Sequence, residues 1–147
     1  MRQCLTRRLP YTPQQLFELV GDVERYPQFV PWITTLTTWN RREAGEGVTT
    51  FDAQAHVRFA IIHERFITRV MLDAAALAVD VALISGPFTR LENHWRFAAE
   101  GKGTLLSFEI DVEFGSRRLE RILAANSAYA IARLVGCFED RAAALYR

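Results

Sequence analysis

Three stretches of this chain alternate apolar and polar residues with the period of two that marks a strand covered on one face. Phe51, Ala53, Ala55 and Val57 oppose Asp52, Gln54, His56 and Arg58; Leu91, Asn93, Trp95 and Phe97 oppose Glu92, His94 and Arg96. Leu106, Phe108, Ile110, Val112 and Phe114 oppose Ser107, Glu109, Asp111 and Glu113. With weaker alternation elsewhere, the pattern predicts strands near Gln3 to Leu9, Ile33 to Arg42, Val48 to Phe59, Ile61 to Leu72, Leu77 to Ile84, Phe88 to Ala98 and Thr104 to Phe114. The breaks fall at Gly45-Glu46-Gly47, Asp73-Ala74, Ser85-Gly86-Pro87 and Glu100-Gly101-Lys102-Gly103, which carry turn residues. One dry and one wet face, with short connections, describe an antiparallel meander covered on one side.

The period changes twice. Thr12-Pro13-Gln14-Gln15 reads as a capping box with proline at the first helical position, opening a short helix from Pro13 to Val20 that stops at Gly21. From Arg117 to Tyr146 there is no proline and one glycine, Gly136, which predicts one long helix N-capped by Ser116. Leu119, Leu123, Ser127, Ile131, Leu134, Phe138 and Leu145 would form its apolar face, flanked by Ala130 and Cys137. Ile122, Ala125, Tyr129, Ala132 and Gly136 make a second stripe, open to use as a homodimer seam. Arg117, Arg118 and Arg121 crowd the helix start, the wrong end for its dipole; they meet lipid phosphates or form a solvated turn with Glu113 and Glu120.

These elements assemble into an α+β fold. A curved antiparallel sheet of about seven strands wraps round a long C-terminal helix, with two short helices after the first strand, all in one domain spanning 1–147. Between the short helices and the second strand, Tyr26-Pro27-Gln28-Phe29-Val30-Pro31-Trp32 is too apolar for an idle loop and too rich in proline for a long helix. It either plugs the open end of the sheet-and-helix grip or forms the mouth of a cavity, with Phe29, Val30 and Trp32 held out towards lipid.

A formal net charge of +1 gives no bulk attraction to nucleic acid or to an anionic membrane. Two distant cysteines, Cys4 and Cys137, suit free buried thiols in a reducing compartment. No secretory signal or mitochondrial presequence is visible, and no apolar run reaches membrane-span length. Metal-ligand spacings, a P-loop, a dinucleotide fingerprint and a nucleophile elbow are missing, and the three histidines read as surface residues. No catalytic constellation, metal site or catalytic cofactor is therefore expected, and binding is favoured over turnover.

Small residues interrupt both facing surfaces: Ala53 and Ala55 beside Phe51, Asn93 beside Trp95, and Ser127 and Ala130 between Leu123 and Leu134. That pattern allows an apolar cavity with a few polar groups, for which Asn93, Ser127 and Glu64 are candidates. It equally allows a tightly curled sheet on which the helix sits close.

The runs Leu9-Pro10-Tyr11-Thr12-Pro13 and Asp22-Val23-Glu24-Arg25-Tyr26-Pro27-Gln28-Phe29-Val30-Pro31-Trp32 carry a family likeness. So do Glu64-Arg65-Phe66, Gly86-Pro87-Phe88, Asn93-His94-Trp95-Arg96-Phe97 and Cys137-Phe138-Glu139-Asp140-Arg141-Ala142. With these the chain resembles the coenzyme Q-binding branch of the START-like, or polyketide cyclase and lipid-transport, superfamily, whose fold is the helix-grip. The resemblance implies non-enzymatic binding of ubiquinone or a similar polyprenyl quinone, as carrier or chaperone for respiration and quinone biosynthesis. It implies a bacterial protein at the inner face of the cytoplasmic membrane. The same branch includes ribosome-association toxins, and the wider superfamily includes aromatase/cyclases. Trp95, Phe51, Phe66 and Phe108 would wall a quinone ring beside Ala53, Glu64, Asn93, Leu123 and Ser127.

Overall fold

The computed structural model describes residues 1–59 and 61–146, apart from the side chain of Leu123. In chain order the elements are β1 (Arg2–Leu9), α1 (Pro13–Gly21), a 3-10 helix (Val23–Gln28), β2 (Ile33–Gly45), β3 (Val48–Phe59), β4 (Ile62–Asp73), β5 (Ala78–Ser85), β6 (Phe88–Glu100), β7 (Gly103–Phe114), α2 (Arg117–Ala124) and α3 (Ser127–Leu145). The sheet is wholly antiparallel in the order β1-β7-β6-β5-β4-β3-β2. Only the β1–β7 neighbours are joined out of sequence, so β1 closes one edge of an otherwise simple meander.

Local chemistry sets the boundaries. Thr12 Oγ1 accepts from the Gln15 amide at 3.1 Å while Gln15 Oε1 accepts from the Thr12 amide at 3.0 Å, the reciprocal box that starts α1. Gly103, at the β6–β7 turn, approaches β1 so closely that a Cβ there would lie 2.2 Å from the Leu9 carbonyl oxygen. Ser116 caps α2 as its sequence suggests, its Oγ accepting from the Leu119 amide at 3.1 Å.

The single C-terminal helix expected from the sequence is broken. Ala125 and Asn126 form a turn, and Asn126 becomes the N-cap of α3 with φ −124° and ψ 21°. Asparagine and serine compete for backbone hydrogen bonds and favour such ends. The buried stripe of α3 is Ile131, Val135, Phe138 and Ala142, whereas Leu145 is exposed. Leu145 is the last residue of α3, beside its C-cap Tyr146, where the helix ends. The second stripe is likewise interrupted, with Ala125 in the break and Tyr129 exposed.

Strand directions put α1 and the β2–β3, β4–β5 and β6–β7 turns at one end of the sheet. The β3–β4 and β5–β6 turns, the end of β7 and α2 lie at the other. At the first end α1 buries Leu16, Phe17, Leu19 and Val20. The Thr104 hydroxyl donates to the Tyr11 carbonyl at 2.6 Å, and the Tyr146 hydroxyl donates to the Gln15 carbonyl at 3.1 Å. The outer face carries cross-strand ion pairs, including Arg90 with Asp111 and Arg96 with Asp80. Asp52, expected on the wet face, is buried there. Hydrogen bonds from Arg69 at 3.1 Å and Asn40 at 3.3 Å hold its carboxyl below the ordinary carboxylate range. Cys4 is exposed rather than buried, and Cys137 is half-buried.

Candidate functional site

Between the concave face and α3 lies a cavity of about 320 Å³. Its floor is the inward set of the alternating strands: Ala53, Ala55 and Val57 of β3, Phe66, Thr68 and Val70 of β4, Val81 of β5, Leu91, Asn93 and Trp95 of β6, and Phe108, Ile110, Val112 and Phe114 of β7. Ser127, Ala130, Ile131, Leu134 and Phe138 of α3 form the roof. The void exists because small and large residues face each other across it. Trp95 packs on Phe108 at 4.5 Å and on Phe138 at 4.9 Å, bridging sheet and helix. Beyond that bridge, Ala53 and Ala55 meet Ala130 and Ser127 with nothing to fill the gap.

Few polar groups reach the wall. Asn93 Oδ1 is buried and accepts no hydrogen bond. Its neighbours across the sheet are Val81 and Ile110, which offer nothing polar. Thr68 is buried beside the cavity, and Ser127 Oγ accepts from Gln3 Nε2 at 3.3 Å. Tyr26 donates its hydroxyl to the Val20 carbonyl, and burial, with Asp22 adding to it, pushes its pKa far above the ordinary tyrosine value. Among the described residues lining the cavity there is no carboxylate, imidazole, thiol or basic side chain.

Of the residues singled out from the sequence, Trp32, Ala53, Phe66, Asn93, Trp95, Phe108 and Ser127 line this one space. Leu123 lies outside the described residues. The others are elsewhere. Val30 is fully buried, and Phe29 stacks edge-on against Phe138 at 5.1 Å under the Arg141 guanidinium. The Tyr26-to-Val30 segment therefore seals the gap between the β2 edge and α3, and from the Tyr26-to-Trp32 run Tyr26 and Trp32, the latter with Arg133 over its ring, border the cavity. Phe51 is buried under Arg41 on the α1 side. Glu64 faces inward but sits past the end of the cavity, in an outer groove bounded by Ile61, Ile62, His63, Gly86, Pro87, Phe88, Arg118, Leu119 and Ile122.

Sequence reasoning missed Thr68, Phe88 and Phe114. Thr68 was legible, being two residues from Phe66 on the same strand face. Phe88 and Phe114 stand at strand ends, where alternation says least. They form a stack with Phe66, at 5.5 Å and 5.9 Å, across the ends of β4, β6 and β7. Gly86 permits it, since a Cβ there would lie 2.5 Å from that of Phe66.

A bent antiparallel sheet closed over an apolar space by a C-terminal helix defines the helix-grip class of START-like proteins. Within it, the chain belongs to the family described as polyketide cyclase/dehydrase and lipid transport, the match running over residues 9–139. It is 31% identical over 140 residues to the ribosome association toxin RatA of Rickettsia prowazekii, covering 93% of this chain and 92% of that protein. It is 32% identical over 116 residues to the mitochondrial coenzyme Q-binding protein coq10 of Schizosaccharomyces pombe, covering 76% of this chain and 68% of that one. Among solved structures, the 18 kDa protein CC1736 from Caulobacter crescentus is 51% identical with a TM-score of 0.84, covering 99% and 98% of the two chains.

Proposed function

We propose that this protein binds ubiquinone, or a similar polyprenyl quinone, in the cavity without transforming it, as a carrier or chaperone serving respiration and quinone biosynthesis. The observation that carries this reading is an apolar cavity whose wall holds one uncommitted amide, Asn93. Each buried CH₂ of an isoprenoid chain gains ~0.8 kcal/mol, so affinity needs no polar contact. The amide supplies selectivity for the ring. Its Nδ2 donates to a quinone carbonyl, and Oδ1 accepts from a quinol hydroxyl. The second bond relieves the desolvation cost of the buried, unpaired Oδ1, about 1–3 kcal/mol. Acid–base turnover would need a titrating group at the ligand, and the described wall offers a tyrosine whose proton burial locks in place and the Met1 α-ammonium, which is held on the Val112 carbonyl at 2.8 Å. The relative named for coenzyme Q binding supports the ligand class. The setting proposed with it is the inner face of a bacterial cytoplasmic membrane.

A second reading, association with ribosomes, is favoured by the relatives named for that activity, which cover more of the chain. One experiment separates the two. Protein purified from its natural host is extracted with organic solvent for mass spectrometry, and the lysate is fractionated on a sucrose gradient. A near-stoichiometric polyprenyl quinone supports the first reading. Migration with ribosomal particles and no extracted lipid supports the second.

A further inference from the structure

A cavity of about 320 Å³ is at the small end of the ~300–1,000 Å³ range of ligand pockets, so it takes a ring and the first part of a tail. The rest of a long guest must leave through an opening, and the structure marks one. Phe88 stands in the wall of the cavity and in the wall of the outer groove at the α2 end. One aromatic side chain is thus common to the inner space and the outside.

Exposed apolar and basic side chains lie at that end of the sheet. Ile61, at the tip of the β3–β4 hairpin, is 69% exposed, and Ile84, at the end of β5, is 47% exposed. Arg58 and Arg65 flank the tip, and Arg117, Arg118 and Arg121 project from α2; all five are exposed. Among the described residues none of the five pairs with a carboxylate, while Arg2, Arg7, Arg8, Arg25, Arg69, Arg90 and Arg96 all do. Of the acids at this end, Glu113 is committed to Arg90 at 3.1 Å, while Glu120 on α2 and Glu64 in the groove set two negative charges against the five positive ones. At the opposite end Arg41, Arg42 and Lys102 likewise have no carboxylate partner among the described residues, but Glu43, Glu46 and Asp73 lie on the same turns, so the surplus of positive charge falls at the α2 end.

We propose that this end, made of α2 and the β3–β4 hairpin, docks on an anionic phospholipid bilayer, and that a long-tailed guest enters past Phe88. The inference rests on the reading of the cavity as a lipid site. Unpaired guanidiniums attract lipid phosphates, and exposed isoleucines among them enter the headgroup boundary. A nucleic acid would use the same charges but has no use for the isoleucines or for an apolar cavity behind them.

The test is co-sedimentation of the whole chain with vesicles of phosphatidylglycerol and phosphatidylcholine, against vesicles of phosphatidylcholine alone. The wild type should bind the anionic vesicles at least tenfold better at low salt, with the preference falling as salt rises. Arg118→Glu with Arg121→Glu should abolish the preference. Arg42→Glu with Lys102→Glu, the same change in net charge at the opposite end, should keep it. A water-soluble short-tailed ubiquinone is titrated into all three proteins and should bind each alike, which also shows that the variants fold. No preference in the wild type overturns the proposal, as does equal loss in both variants, or arginine-dependent binding to ribosomes and not to vesicles. If vesicle docking holds and the short-tailed quinone fails to bind, the docking surface stands and the quinone reading of the cavity falls.

Discussion

At one end of the sheet α1 buries Leu16, Phe17, Leu19 and Val20, while at the other α2 buries none of its described residues. Both helices are short, and both begin with a side-chain cap. Their difference is packing. A helix of this length is marginal alone in water, so tertiary contact decides whether it is a fixed wall. Each fully buried Leu or Phe contributes ~1.5–3 kcal/mol, which fastens α1 as a stopper. The half-buried Leu119 and Ile122 give α2 far less hold. The cavity lies between a sealed end and a loosely covered one, and traffic belongs at the second.

The largest expected effect tests the sealed end. Phe17→Ala should cost ~3–5 kcal/mol in urea unfolding, the range for emptying an aromatic core site. Ile122→Ala, at the open end, should cost less than ~1 kcal/mol. Equal losses would erase the distinction between the ends.

Next comes the space between them. In a filled core, Ala53→Leu would cost ~1–3 kcal/mol through overpacking. In the cavity it should leave the melting midpoint within a few degrees and reduce quinone retention at least tenfold. A destabilised variant that still carries its guest would show that Ala53 does not border the ligand space.

A smaller effect falls on the polar handle. Asn93→Leu removes a buried carbonyl with no partner, so stability should hold or rise by about 1 kcal/mol. Ring affinity should drop about fivefold, the worth of one hydrogen bond, when isothermal titration compares a ubiquinone with its tail-only analogue.

The smallest effect concerns the ion-paired outer face. Burial alone would raise the Asp80 carboxyl, but hydrogen bonds from Arg96 and His94 outweigh it, and its pKa is lowered. A carboxyl depressed in the folded state adds stability above its unfolded value, ~3.9, and loses it as pH falls through the folded value. Asp80→Asn should therefore be less stable than the wild type at neutral pH. The two unfolding curves should converge in acid, below pH ~4.

The seven strands were legible almost to the residue, because alternation fixes a strand's phase and Gly-containing turns fix its ends. Ala53, Asn93, Trp95 and Phe108 were legible as residues of the cavity wall for the same reason: the face that meets the helix is the face that can border a void. Whether the void existed was not legible, since Ala53 and Ala55 serve a close-packed helix equally well. The break at Ala125 and Asn126 carries neither glycine nor proline, so propensity alone runs through it. For Phe29 and Val30 the sequence leaves plug and mouth open, because an apolar loop has the same composition whether it lines an opening or closes a seam. Only the position of Phe138 decides that. Glu64 shows the limit of phase: its cross-strand partner Val57 borders the cavity, while Glu64 itself borders the outer groove.

The account depends on the cavity taking a quinone ring, and fluorescence reports on that directly, because Trp95 and Trp32 both line it. A short-tailed ubiquinone titrated into the wild type should quench tryptophan emission saturably at an equimolar ratio, and Ala53→Leu should abolish the saturable part. Quenching that climbs linearly without saturation, and identically in both proteins, would contradict it.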